Sequence, residues 1–280
     1  MRRLYHTALA LGLTLAIASA QGGAAQTAPD AQSSARQSGA QMPEWAMSDP
    51  VANEGMIEDE AIDALKEMSN FLMTANTMQI VSNGSLDVVT NNGQRIQLEG
   101  STTYKVRKPN GFVVDYVSDI KSRRFIYDGK NFTVYSPKLG FYSTVPAPAT
   151  NREVLDTIHD KFGIALPLED LFRWSEGASA DRIQALRSAY NVGPATIDGV
   201  PTDHYAFRED AVDWEVWIQQ GDQPFPRKLV IVDRNDPAKP TFAARIQWTM
   251  NPAFTDADFT FVPDANAKKI QMATYQGSGE

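Results

Sequence analysis

The chain has no cysteine. Disulfides, thiolate nucleophiles and cysteine-ligated zinc are excluded outright, and so is an acyl anchor on a cysteine at an export cleavage site. Histidine is nearly as scarce, with only three in the chain. Positive charge is in deficit: 26 Lys and Arg against 34 Asp and Glu give a formal net charge of -8. That argues against a nucleic-acid binder or a protein of anionic membrane surfaces, since both need a basic face. P-loop, dinucleotide-type glycine, G-x-S-x-G and H-E-x-x-H motifs are absent. No catalytic residue, metal or cofactor is expected.

What is present begins with an export signal. Arg2 and Arg3 precede an apolar run from Leu9 to Ile17, too short for a comfortable membrane span, and Ala18-Ser19-Ala20 fits signal cleavage. Residues 1–20 are read as a signal peptide and Gln21 as the mature N-terminus, with no stable membrane insertion after cleavage. Residues 21–55, rich in Ala, Gln, Ser, Gly and Pro, read as a disordered linker with Trp45 as its one large apolar side chain. Residues 56–272 read as one domain and 273–280 as a disordered tail.

The domain is organised around Tyr104–Tyr135. Its apolar residues alternate, with Phe112, Val114 and Tyr116 on one face, then Phe125 and Tyr127, then Phe132 and Val134. Asn110-Gly111 and Asp128-Gly129 suit two-residue hairpins, and Asn83-Gly84, Asn92-Gly93 and Asp198-Gly199 mark further turns. Before this stretch, 57–75 is an amphipathic helix with Ile62, Leu65, Met68, Leu72 and Met73 near one face, and 77–107 reads as β. After it come a strand at 141–145 and a helix capped by Asn151 and ended by Gly163. A short helix from Leu168 and a third over 180–189 follow. Strands resume at Tyr190 and close with one centred on 259–262. About a dozen strands with short connections favour a curved antiparallel sheet, with the helical block lying over it.

Several residue sets then resemble a known family: Tyr104–Pro109, Tyr127–Lys130 through Tyr135, Phe141–Pro146, Gly193–Pro201, Asp203–Arg208 and Asp213–Ile218. Together they resemble the predicted periplasmic proteins of unknown function related to the LolA/LolB lipoprotein-localisation fold. The resemblance implies an α+β protein of the periplasm: an unclosed antiparallel β-barrel of about 11–12 strands, with an N-terminal helix and an inserted helical lid over its concave face. It also implies an apolar cavity for a lipid or lipoprotein acyl chain, with an envelope protein partner as the alternative. The carriers place Arg directly before the Pro, where it holds the lid; here Lys108 stands there and Arg107 precedes it.

On this reading the sheet-borne cavity candidates are Phe112, Val114, Tyr116, Phe125, Tyr127, Trp214, Val216, Ile218 and Trp248. The lid candidates are Ile158, Phe162, Ile164, Leu166, Leu168, Leu171, Phe172 and Trp174, with Arg107 and Lys108 as latches. The sequence leaves open whether these faces meet a void or a packed neighbour. Asp156, His159 and Asp160 lie close enough on a helix to raise a metal site, but they fit a solvated face better. His204 reads as structural, Glu209, Asp210, Asp213 and Glu215 as a hairpin end rather than a catalytic pair, and Lys121, Arg123 and Arg124 as a basic hairpin able to touch a headgroup.

Overall fold

The computed structural model describes residues 55–175 and 180–275, without the side chains of 170–172, 180 and 181. The expected signal peptide, the linker with Trp45 up to residue 54, and residues 276–280 of the expected tail lie outside the described residues. Residues 273–275, expected to belong to that tail, are described, and Tyr275 N donates to Lys161 O at 2.8 Å.

Helix α1 (Asp59–Met73) is followed by six strands, β1 (Thr77–Val89), β2 (Arg95–Arg107), β3 (Gly111–Ser118), β4 (Ser122–Tyr127), β5 (Asn131–Ser136) and β6 (Phe141–Pro146). Three helices interrupt them, α2 (Asn151–Phe162), α3 (Glu169–Ser175) and α4 (Ala180–Gln184). Then come β7 (Ser188–Ile197), β8 (Val200–Arg208), β9 (Val212–Gln219), β10 (Pro226–Asp233), β11 (Thr241–Met250) and the two-residue β12 (Lys268–Lys269). All twelve strands form one sheet in the order β12-β6-β5-β4-β3-β2-β1-β11-β10-β9-β8-β7. Only β12 pairs in parallel. The two meanders join where β1 meets β11, and β12 and β7 remain as separate edges, so the barrel is not closed.

Local chemistry explains most boundaries. Asp198 and Gly199, both at positive φ, make a two-residue hairpin between the paired Ile197 and Val200. Asp128-Gly129 is not itself the two-residue loop expected: Tyr127 pairs with Phe132, and residues 128–131 connect them. The connection is fixed by the Asp128 carboxylate, which accepts the N–H groups of Lys130 and Asn131 at 2.8 and 2.7 Å. Helix α2 is capped by Thr150, with a capping box to Glu153, not by Asn151. Asn151 is the first helical residue and fully buried. Its carboxamide accepts from Gly111 N (2.8 Å) and donates to Arg107 O (3.1 Å), clamping the β2–β3 connection.

Four further expectations are corrected. Asn110-Gly111 is not a two-residue hairpin: Gly111 already pairs with Arg107, and Lys108-Pro109-Asn110 form the connection. Asn83-Gly84 makes no turn, because Gly84 lies inside β1 opposite Gly100 and Ala244. The third helix stops at Gln184, and β7 begins at Ser188. Residues 259–262 are not a strand; Asp256–Phe259 is a 3₁₀ turn, and the strand that follows is β12.

That last segment straps the outer face of the sheet. Phe259 packs with Val113 and Ile126, and Phe261 lies against Tyr135 and Tyr142. Lys105 Nζ reaches Asp258 at 2.8 Å, and Arg107 reaches Asp256 at 2.6 Å while covering the Phe259 ring. The Lys105 ammonium, helped by the N–H and hydroxyl of Thr255, holds the Asp258 carboxyl down to about 2. Because this lies below its ordinary 3.8, the anchorage is complete above about pH 4 and lost as pH falls towards 2. An NMR titration should show the Asp258 amide moving with a midpoint near 2; a midpoint near 3.8 would mean the tie to Lys105 is absent in solution.

Candidate functional site

The inner, concave face carries one apolar cluster shared by the sheet, α1, α2 and the segment from Ile164 to Trp174. Helix α1 contributes Ala61, Ile62, Leu65, Met68 and Leu72 at helical spacing, while Met73 falls outside the stripe and is exposed. Strand register sorts the sheet residues into rows two residues apart, roughly 6.7 Å. One row runs Met78, Val106, Phe112, Tyr127 and Phe132. The next runs Trp248, Ile80, Tyr104, Val114, Phe125 and Val134. The third turns polar: Ser82, Thr102, Tyr116 and Arg123.

Fifteen of the seventeen expected cavity and lid residues have described side chains, and fourteen belong to or pack against the apolar cluster. Phe112, Val114, Phe125, Tyr127, Ile158, Leu166, Trp174, Val216 and Ile218 are buried in it, as is Leu168. Phe162, Ile164, Trp214 and Trp248 are partly buried against it. Tyr116 stands apart in the polar row. Leu171 and Phe172 fall in α3, but their side chains lie outside the described residues.

Aromatic contacts tie cover to sheet. Trp174 tilts against Trp214 at 6.4 Å, Trp214 stacks on Phe207 at 4.1 Å, and Phe71 of α1 meets Phe225 edge-on at 4.9 Å. The Tyr205 phenol, on the same face, is pushed up to about 12, chiefly by burial and then by Asp203, Glu60 and Glu67. It therefore stays neutral at physiological pH.

The covering segment is fastened through its backbone carbonyls. Tyr104 Oη donates to Pro167 O. Ser69 Oγ, fully buried, donates to Trp174 O at 2.8 Å. Lys108 Nζ donates to Ser175 O at 2.6 Å and to Leu72 O at 3.3 Å, with Met73 O at 3.5 Å. Its ammonium thus joins the C-terminal ends of α1 and α3, where helix carbonyls lack partners and positive charge is favoured. Helix α1 has no basic residue in its own last turn. Arg173 adds a surface tie to Asp156 of α2 at 2.8 Å and to Glu169 at 2.6 Å.

Arg107, the other latch candidate, lies on the outer face with Asp256 and Phe259. Sequence reasoning missed Ser69 and the Tyr104 hydroxyl. Ser69 did leave a signal, a hydroxyl inside the apolar stripe of α1.

The remaining candidates are paired elsewhere. His204 Nε2 lies 2.7 Å from Glu215 and its ring stacks on Trp217 at 3.9 Å. Asp210 holds Arg187, Asp213 holds Arg208, and Glu209 accepts from Trp214 Nε1. Asp156 is taken by Arg173, and His159 lies beside Asp160 at 3.2 Å. Among the described residues no group of three or more His, Cys, Asp or Glu could hold a metal ion.

A family model described as predicted periplasmic protein (DUF2092) matches residues 61–273. No curated protein matches the chain. Among solved structures, an uncharacterized conserved protein from Thermus thermophilus is similar at 11% identity and TM-score 0.45, over 76% of this chain and 99% of its own. The lipoprotein LppX from Mycobacterium tuberculosis is similar at 12% and 0.44, over 70% and 98%. The LolA superfamily protein NE2245 from Nitrosomonas europaea is similar at 8% and 0.33, over 72% and 97%.

Proposed function

Because the chain belongs to the DUF2092 family of predicted periplasmic proteins, we propose that it is exported, is cleaved after Ala20, and binds the acyl chain of a lipid or lipoprotein beneath its helical cover. The observation that carries this reading is the way the cover is fastened. The inner rows of Phe112 and Val114 form a continuous apolar surface, yet the segment above them is tied by polar side chains, Tyr104, Ser69 and Lys108, to three carbonyls. Such ties can be remade by water when the segment lifts, so opening exposes the apolar side chains of Leu166, Leu168 and Trp174 but strands no polar group.

With the segment raised, an acyl chain would replace it on the same surface. A chain of about sixteen carbons offers on the order of 12 kcal/mol gross, at ~0.8 kcal/mol per CH₂, before binding costs. No group transfer is needed, so the reading is non-enzymatic: a binding protein that serves as a carrier if it also releases its ligand to a second acceptor.

The alternative is an envelope interaction module with a permanently filled core. It is favoured by the same cluster, in which sheet, α1 and cover are already packed together. Uptake of a fluorescent fatty acid by lipid-stripped protein separates the two. Saturable uptake near one per chain is expected; no saturable uptake, with the protein folded, contradicts lipid binding and leaves the module.

A further inference from the structure

Where the inner face turns polar it carries Arg123, with Lys121 on the adjoining turn, and no carboxylate of the described residues neutralises either cation. Arg123 lies on the row of Thr102 and Tyr116, one row beyond Val114 and Phe125. Its Nη1 donates only to oxygen atoms of neutral groups, Ser122 O at 2.8 Å and Ser136 Oγ at 2.7 Å. Lys121 precedes it on the β3–β4 turn, where Ser118 N and Oγ donate to its carbonyl. Among the described residues neither cation is in an ion pair.

The neighbouring charges are committed elsewhere. Arg124 faces the opposite side and pairs with Asp115 at 3.2 Å, and Asp119 accepts the Glu99 N–H at 2.9 Å. Burial pushes both the Lys121 ammonium and the Arg123 guanidinium down, and the charge of Arg123 adds to the effect on Lys121. Two half-buried, adjacent like charges are destabilising as they stand, and a bound anion would relieve both.

We infer that Lys121 and Arg123 form an anion subsite at the rim of the apolar face, which takes the carboxylate or phosphate headgroup of an amphiphile whose chain lies over Val114 and Phe125. The inference rests on the lipid-binding reading and narrows its ligand to an anionic amphiphile. Arg123 supplies a planar fork suited to an oxyanion and Lys121 a mobile point charge. Ser136, buried beside Arg123, orients the fork.

The test uses the lipid-stripped mature chain and four probes: palmitate, hexadecyl phosphate, methyl palmitate and inorganic phosphate. Palmitate or hexadecyl phosphate, or both, should bind about tenfold or more tightly than the neutral ester. The better of the two identifies carboxylate or phosphate as the headgroup. Lys121→Gln/Arg123→Gln should abolish that preference and leave ester affinity unchanged. Lys121→Gln alone, on the turn, should remove part of it without touching Ser136. Equal binding of acid and ester by the wild type, or a preference that survives in the double variant, overturns the subsite while the apolar site stands. If no amphiphile binds, the lipid reading falls; phosphate binding that disappears in the double variant would then retain an anion site, and no phosphate binding would remove it as well.

Discussion

Lys108→Met should loosen the covering segment while the sheet stays folded. The ammonium satisfies Ser175 O and Leu72 O, and α1 has no basic residue of its own in its last turn. A charged hydrogen bond to a part-buried carbonyl is worth about 1.5–3 kcal/mol, and methionine fills the stem's space without replacing it. The opening equilibrium of residues 164–175 should rise about tenfold to a hundredfold, since each 1.4 kcal/mol is a factor of ten. Hydrogen exchange should show this in that segment while β1 and β2 keep their protection. Fatty-acid uptake should accelerate in parallel. Ser69→Ala should act in the same direction, because Trp174 O would lose its buried donor. Arg107→Met is the control: it sits one residue away but holds Asp256 and Phe259, so it should free the outer strap and leave the cover alone. Equal loosening of the cover by both variants would show that the Lys108 contacts are incidental.

Gly84→Ala should damage the whole fold. A Cβ at Gly84 would lie 2.2 Å from Ala243 O and 2.9 Å from Ala244 Cα, both backbone atoms that no rotamer change can move. Relief requires β1 and β11 to separate, and this pair joins the two meanders. The expected cost is at least about 3 kcal/mol, above the usual range for an added methyl group because the obstacle is main chain. In a domain of this size that corresponds to a fall in Tm of roughly 6–12 °C. Gly100→Ala, whose nearest neighbour is Val117 O at 3.2 Å, should cost much less. A Gly84→Ala variant melting within about 2 °C of the wild type would mean that the two strands do not meet at this distance.

Gly84 also shows why some of the fold could be read and some could not. Asn-Gly is a strong hairpin dipeptide, so locally it spoke for a turn. The glycine is instead required by a strand far along the chain, at Ala243 and Ala244, and such a requirement has no local trace. Phe259 and Phe261 alternate like a strand, but they do so to cover the outer face, without joining the sheet. The hairpin at Asp198-Gly199 and, apart from the turn misplaced at Gly84, the β character of 77–107 were legible because one residue pair, or simple alternation, fixes them.

The site divides in the same way. Alternation grouped Phe112 and Val114 with Tyr116, and Phe125 with Tyr127. The strand register sets the two groups side by side on the inner face, with Tyr116 in the polar row beside Arg123. Resemblance pointed to Lys108, yet its acceptors are carbonyls, which every residue has, so nothing in the sequence marks Leu72 or Ser175 as its partners. Ser69 was visible as an oddity in an apolar stripe, and its purpose appears only once Trp174 O lies above it.

Whether the inner face accepts an acyl chain is tested most directly by native mass spectrometry of the mature protein from a periplasmic extract, before and after organic extraction. The expected species is a chain beginning at Gln21 that carries one lipid-sized adduct, lost on extraction and restored by added lipid. A protein that runs at its bare mass before extraction and takes up no lipid afterwards would contradict acyl-chain binding.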